Sequence, residues 1–214
     1  MKYKYILFDL DGTITESGPG IMNSVEYALN KMNREVGERD TLKKFIGPPL
    51  TESMEKYYGM SEEEALLGVK YYREYYHDKG IYENRVYDGL EEVLKKINEA
   101  GKQAIVATSK PEKYAKIIID HFHLTKYFAC VAGMEMDGGR GTKAQVITYA
   151  LEKNDITDKS KVLMIGDREH DVIGAHENGL DCLGILYGFG SRKEFEEAGA
   201  DYIRENVEDI LQFV

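Results

Sequence analysis

Cysteine is scarce in this chain: Cys130 and Cys182 are the only two in 214 residues. Each sits in an apolar, strand-like run, so no disulfide framework is needed, and buried reduced thiols in a reducing cytoplasm are expected. No apolar run approaches the length of a membrane-spanning helix. Met1-Lys2 leads directly into an apolar segment, without the pattern of a secretory leader. Positive charge is also short, with 28 Lys and Arg against 38 Asp and Glu and a net charge of −10. That balance excludes a general nucleic-acid surface, so any anionic ligand must be drawn by a local cationic site. Internal repeats and low-complexity segments are absent. What remains is an ordinary globular composition, 43% apolar and 31% charged, long enough for one large or two modest domains.

The patterning divides the chain in two. Tyr5-Ile6-Leu7-Phe8 reads as a buried strand. From Thr15 to Glu83 no strand alternation is expected, only helical periodicity: one stretch from Pro19 towards Gly37, a short piece over Thr41 to Phe45, then Leu50 to Tyr58 and Glu62 to Lys79. Gly47-Pro48-Pro49 is a rigid loop between them. Such a segment is too long for a simple crossover, so residues 15–84 are expected to form an inserted all-helical domain. From Val86 onward helices alternate with apolar strands at Gln103–Ala107, Tyr127–Ala132, Val162–Ile165, Cys182–Leu186 and Tyr202–Ile203. Repeated αβ units with continuous apolar strands imply an α/β fold, a doubly wound and mostly parallel sheet built from residues 1–14 and 85–214.

Three apolar strands end in polar, chemistry-bearing residues. The first ends in Asp9 and Asp11, with Gly12 for a sharp turn. The second ends in Thr108-Ser109-Lys110, and the third in Gly166-Asp167 with Asp171 four residues on. Lys143 follows the Gly-rich stretch Gly138-Gly139-Arg140-Gly141 and opens a helix. Ligands of open parallel sheets bind beyond the carboxyl ends of the strands. Clustered carboxylates suit a hard divalent cation, Mg²⁺ above all, and a hydroxyl, backbone amides and an ammonium beside it suit a phosphoryl group. Isolated, each residue has a plainer reading: a turn for Asp9 and Asp11, a cap for Thr108, solvated surface for Lys143. Lys143 at a helix N-terminus opposes the helix dipole, and a neighbouring anion would justify it. His121 and His123 diverge around a helix end and do not form a metal pair. Tyr71, Tyr72, Tyr75 and Tyr76 read as packing residues of a helix.

Taken together, Asp9-Leu10-Asp11-Gly12-Thr13, Thr108, Lys143 and Gly166-Asp167 with Asp171 resemble, in order, the four motifs of the haloacid dehalogenase-like superfamily, in its phosphatase branch. The helical insertion is similar to the family's helical cap domain. Ile46-Gly47-Pro48-Pro49-Leu50 and Tyr187-Gly188-Phe189-Gly190-Ser191 are similar to the phosphoglycolate phosphatase group. The resemblance implies Asp9 as nucleophile, Asp11 as general acid and base, and Thr108 with the Ser109 amide as phosphate ligands. It implies Lys143 as the charge partner of Asp9 and the phosphoryl group. Mg²⁺ would be held by Asp9, the Asp11 carbonyl and Asp167, with Asp171 orienting Asp167, Lys143 or a water. Gly47, Pro48 and Pro49 would help choose the substrate.

Two departures stand out: Arg168-Glu169-His170 follows Gly166-Asp167 where many relatives carry Ser or Thr, and Ala144 follows Lys143 where proline is common. The implied activity is Mg²⁺-dependent hydrolysis of a small phosphomonoester, phosphoglycolate-like or nucleoside-monophosphate-like, by a cytoplasmic monomer or weak dimer with no membrane or nucleic-acid partner. A phosphosugar mutase and a catalytically silent phosphate-binding regulator are the alternatives. The acid/base Asp11 disfavours a dehalogenase.

Overall fold

A computed structural model describes residues 2–136 and 139–214. Gly138, the first residue of the Gly-rich stretch, lies outside the described residues. Packing divides the chain into two compact units, one running to Thr15 and resuming at Val86, the other comprising Glu16–Arg85. No helix among the described residues is long and apolar enough to cross a membrane.

In chain order the elements are β1 (Tyr5–Phe8), β2 (Thr15–Glu16), α1 (Gly18–Lys31), α2 (Leu50–Tyr58), α3 (Glu62–Asp78), β3 (Arg85–Val86), α4 (Leu90–Glu99) and β4 (Gln103–Pro111). There follow α5 (Glu112–His121), β5 (Phe128–Met134), α6 (Lys143–Lys153), β6 (Val162–Gly166), α7 (Glu169–Glu177), β7 (Asp181–Ile185), α8 (Arg192–Ala198) and β8 (Tyr202–Arg204). Short 3₁₀ segments lie at Arg39–Phe45, Gly80–Tyr82, Thr125–Tyr127, Lys159–Lys161 and Val207–Phe213.

The larger unit holds a six-stranded sheet in the order β5-β4-β1-β6-β7-β8, parallel throughout. The chain builds leftward from β1 through β4 and β5, then returns to the other side of β1 for β6, β7 and β8. This reversal makes β1, with β4 and β6 beside it, the topological switch point where such sheets bind ligands. Leu7 lies level with Ile105 on β4 and Met164 on β6. All three face a core shared with Val146, Ile147 and Ala150 of α6, Val172 and Ala175 of α7, and Phe195 of α8. Their strand neighbours Ile6, Phe8, Val106 and Ile165, also fully buried, point to the opposite face by the two-residue pleat. Burial on both faces is why these strands carry unbroken apolar runs. Cys182 is buried in β7, Cys130 is half-buried in β5, and both are free thiols.

The smaller unit is helical, as its periodicity indicated, apart from the ends of its chain. There Glu16 and Arg85 belong to two-residue strands, and their side chains pair at 3.1 Å. A strand at Thr15–Glu16 was not expected; two residues are too few to show alternation. α1 stops at Lys31, short of Gly37, because Asn33 takes the left-handed backbone conformation (φ 53°). α3 starts in a capping box between Ser61 and Glu64, an arrangement worth roughly 1 kcal/mol. Tyr72 and Tyr76 are buried on it and stack at 5.3 Å. Tyr75 donates to Glu83. The tyrosine-rich helix thus packs its own unit.

Candidate active site

The sheet's switch point collects the polar residues that end three strands. Asp9 follows β1 and is held there by its amide, which donates to the Ile165 carbonyl of β6 at 2.9 Å. Lys143 is the first residue of α6, whose start is fixed by a capping box between Thr142 and Gln145. Its buried ammonium donates to Asp9 Oδ1 at 2.7 Å and to the Ala107 carbonyl of β4 at 3.1 Å. Asp171 Oδ1, in the first turn of α7, lies 2.7 Å from the same ammonium. Burial alone would drive Lys143 towards its neutral form, but Asp171 and Asp9 more than reverse this and raise its pKa above the usual lysine value. Lys143 is a permanent cation here.

Asp167 follows β6 and is fully enclosed. Its Oδ2 accepts the Phe189 amide at 2.8 Å, and its Oδ1 lies 3.5 Å from the Thr13 hydroxyl, a long donor contact. Burial pushes its pKa well above the usual carboxylate range, and the neighbouring Asp171 and Asp9 push the same way. Burial also raises Asp171, partly offset by Lys143. Asp171 Oδ2 accepts the Arg168 amide at 3.1 Å, so both its oxygens have protein partners.

Asp9, Asp167 and Asp171 each present a carboxylate oxygen within 4.8 Å of the others. Two full charges 4.8 Å apart repel by about 3.5 kcal/mol at an effective dielectric of ~20. One ammonium cannot neutralise three such groups. The donor set is all oxygen, buried and over-charged, which fits a hard divalent cation and suits Mg²⁺.

Glycines make the crowding possible. Gly12 turns the backbone after Asp11 at φ 81°, and a Cβ there would stand 2.0 Å from Asp167 Oδ2. A Cβ on Gly166 would meet the Asp171 carboxylate at 2.1 Å, and one on Gly188 would lie 2.4 Å from both Asp167 Cβ and the Gly12 carbonyl. Tyr187 closes the same corner by donating from its hydroxyl to the Thr13 carbonyl at 3.0 Å. Its burial, with the Asp167 charge, holds that phenol protonated well above its usual range.

Thr108 is buried near the end of β4, and Ser109 beside it is half-buried. The Thr108 hydroxyl accepts the Lys110 amide at 3.2 Å, leaving its own proton free to donate. Lys110 Nζ pairs with Asp11 Oδ2 at 2.9 Å. Lys110 was not singled out in the sequence beyond its place in the polar strand end. Arg168 Nε donates to Glu194 Oε1 of α8 at 2.8 Å. His170 is half-buried and belongs to no metal cluster among the described residues. Gly47, Pro48 and Pro49 belong to the other unit, where they link the 3₁₀ segment to α2, with Gly47 and Pro49 exposed.

Comparison with known proteins agrees with this geometry. Residues 6–185 match a family model described as haloacid dehalogenase-like hydrolase. A 5'-nucleotidase of Pseudomonas aeruginosa is 42% identical over 194 residues, covering 91% of this chain and 87% of that protein. The tyrosine-protein kinase PtkA of Mycobacterium tuberculosis is 38% identical over 186 residues, 86% of this chain; the match spans 62% of that longer protein. Among solved structures, a predicted phosphatase from Clostridium acetobutylicum superposes with a TM-score of 0.95 at 46% identity, covering 99% of this chain and 98% of that one. With most of its length matched by the family model, the chain belongs to the haloacid dehalogenase-like hydrolases.

Proposed function

We propose that this haloacid dehalogenase-like phosphatase hydrolyses small phosphomonoesters through an aspartyl-phosphate on Asp9, with Mg²⁺ as cofactor and nucleoside 5'-monophosphates as the first substrates to try. The observation that carries the reading is the placement of Lys143 between Asp9 and Asp171 at 2.7 Å each, with the Asp167 carboxylate beside them. The substrate class is drawn from the 42% identity to a protein named 5'-nucleotidase.

Asp9 Oδ2, the oxygen not bonded to Lys143, would attack phosphorus. The ester P–O bond would break as the new bond forms, and Asp11 would hand its proton to the departing alkoxide. The ionised Asp11 would then take a proton from water, whose oxygen attacks the phosphorus, releases Asp9 and frees phosphate. Thr108 and the Ser109 amide would donate to the phosphoryl oxygens, and Lys143 would balance their charge. Asp9, Asp167 and the Asp11 carbonyl would hold the Mg²⁺, which, when bound, supplies positive charge to the transferring phosphoryl group. Asp171 would orient Lys143 in place of ligating the metal. Gly47, Pro48 and Pro49 are the specificity candidates of the helical unit.

The test is a panel of phosphomonoesters (nucleoside 5'-monophosphates, phosphoglycolate, sugar phosphates) assayed with Mg²⁺ for the native chain and Asp9→Asn. Phosphate release by the native chain and none by Asp9→Asn is expected. Activity surviving in Asp9→Asn would remove the nucleophile. A sugar bisphosphate that accumulates without free phosphate would point to a mutase, and a bound but unturned panel to a silent phosphate-binding protein.

A further inference from the structure

We infer that Lys110 is a positioning residue that sets the carboxyl group of Asp11 for proton transfer, and that an irregularity in β4 exists to deliver it. This rests on the assignment of Asp11 as the acid and base of the phosphatase reaction.

The strand pairing shows the device. β4 and β5 pair step for step from Ile105 opposite Cys130 to Thr108 opposite Gly133, yet the next pair is Pro111 opposite Met134. One step on β5 therefore answers three on β4, and Ser109 and Lys110 bulge out of the ladder. Bulges beside active sites re-aim side chains. In a regular strand Lys110 would share the face of Thr108; here its ammonium reaches Asp11 Oδ2 at 2.9 Å, with both side chains nearly enclosed (6% and 13% exposed). The opposing strand is cut to admit the bulge. A Cβ on Gly133 would lie 2.6 Å from the Lys110 carbonyl and 2.7 Å from the Glu112 backbone, so only glycine lets the irregularity close.

The same residue does a second job through its backbone. The Lys110 amide donates to the Thr108 hydroxyl, which turns the hydroxyl proton outward. A single bulge thus fixes the orientation of a phosphate ligand and of the acid/base. Asp11 needs such a tether: its other oxygen, Oδ1, is buried with no hydrogen-bond partner among the described residues. Lys110 holds the carboxyl plane through Oδ2. With Oδ2 anchored, Oδ1 is the atom left to exchange a proton with the leaving oxygen and then with water.

Leaving-group dependence separates positioning of an acid from plain phosphate binding. An alkyl phosphate needs its departing oxygen protonated; p-nitrophenyl phosphate, whose leaving group is stable as an anion, does not. The experiment measures single-turnover leaving-group release, kcat and KM for native protein, Lys110→Met, Lys110→Gln and Lys110→Arg, with p-nitrophenyl phosphate and with the best alkyl monoester of the panel. Either neutral variant suffices if the other does not fold. In a single turnover the neutral variants are expected to slow release of the alkyl leaving group by about 10–10²-fold, with KM within about threefold, and release of p-nitrophenolate far less; the later water step, shared by both substrates, slows equally. Lys110→Arg should recover part of the loss, and Lys110→Met added to Asp11→Asn should cost nothing further. Equal slowing of leaving-group release on both substrates, a change confined to KM, or a loss additive with Asp11→Asn would overturn the inference. If Asp9→Asn keeps its activity, the phosphatase mechanism itself fails; if Asp9→Asn is dead and the Lys110 variants are native-like, only the role of Lys110 falls.

Discussion

Lys143 Nζ stands 2.7 Å from Asp9 Oδ1 across 134 residues of sequence, and both groups are buried. A strand tip and a helix start that meet so closely set one buried ammonium among the carboxylates of the site.

Replacing Lys143 by Ala is expected to lower kcat/KM by about 10²-fold or more, the usual loss when one transition-state charge partner is removed. It should also destabilise the fold by about 3–5 kcal/mol, because Asp9 and Asp171 would be left buried without their counter-charge. Steady-state kinetics with a thermal melt reads both, and native turnover in the variant removes Lys143 from the chemistry.

Metal binding makes a prediction of opposite signs for Asp167. Mg²⁺ should raise the melting temperature of the native chain, by the equivalent of about 2.7 kcal/mol at a hundred times its Kd, and chelation should abolish turnover. Asp167→Asn should lose that Mg²⁺-dependent rise. In the absence of metal it should melt no lower than native protein, since it removes one of three crowded carboxylates while keeping an acceptor for the Phe189 amide. A full Mg²⁺ shift in this variant, followed by scanning fluorimetry, contradicts the assignment.

Gly188→Ala tests the packing around Asp167. The new methyl would press within 2.4 Å of the Gly12 carbonyl and Asp167 Cβ, both close to the site. Overpacking of this kind costs about 1–3 kcal/mol. Mg²⁺ affinity, measured by calorimetry, should fall with it. Unchanged affinity would mean that the loop after β7 does not brace the metal carboxylate.

Acid stability has a contributor far from the site. Asp181 is partly buried, which disfavours its charge, but Lys2 and the Tyr3 hydroxyl bond to it and hold its pKa below the usual carboxylate range. A depressed folded-state value stabilises the fold above the unfolded value and is lost as pH falls through the folded one. Asp181→Asn should therefore lower the melting temperature at pH 7 and flatten its decline below about pH 4. An identical acid limb in native and variant protein contradicts this.

The parallel sheet and the residues at three strand ends were legible because buried parallel strands are unbroken apolar runs and their termini are where polarity returns; the strand order around β1 was not. Asp9, Thr108 and Asp167 are conspicuous for that reason, and Lys143 because a cation opens a helix. Lys110 was not, because its reach depends on a bulge, and a shift in strand pairing leaves no trace in residue types. The Phe189 amide that holds Asp167 is a backbone group and has no sequence signature at all. Arg168 stood out in the sequence as a departure from the family pattern with no role assigned, and its pairing with Glu194, 26 residues on, is one that only the tertiary structure reveals. The early end of α1 at Lys31 turned on the left-handed backbone of Asn33, whereas the sequence favoured Gly37 as the stop.

The most direct test is mass spectrometry of the protein acid-quenched during turnover of its best phosphomonoester. The account predicts a phosphoryl group on the peptide carrying Asp9, present in native protein, accumulating further in Asp11→Asn if that variant still accepts phosphate, and absent from Asp9→Asn. Steady turnover with no phosphoryl adduct in the native chain, or an adduct on another residue, would contradict it.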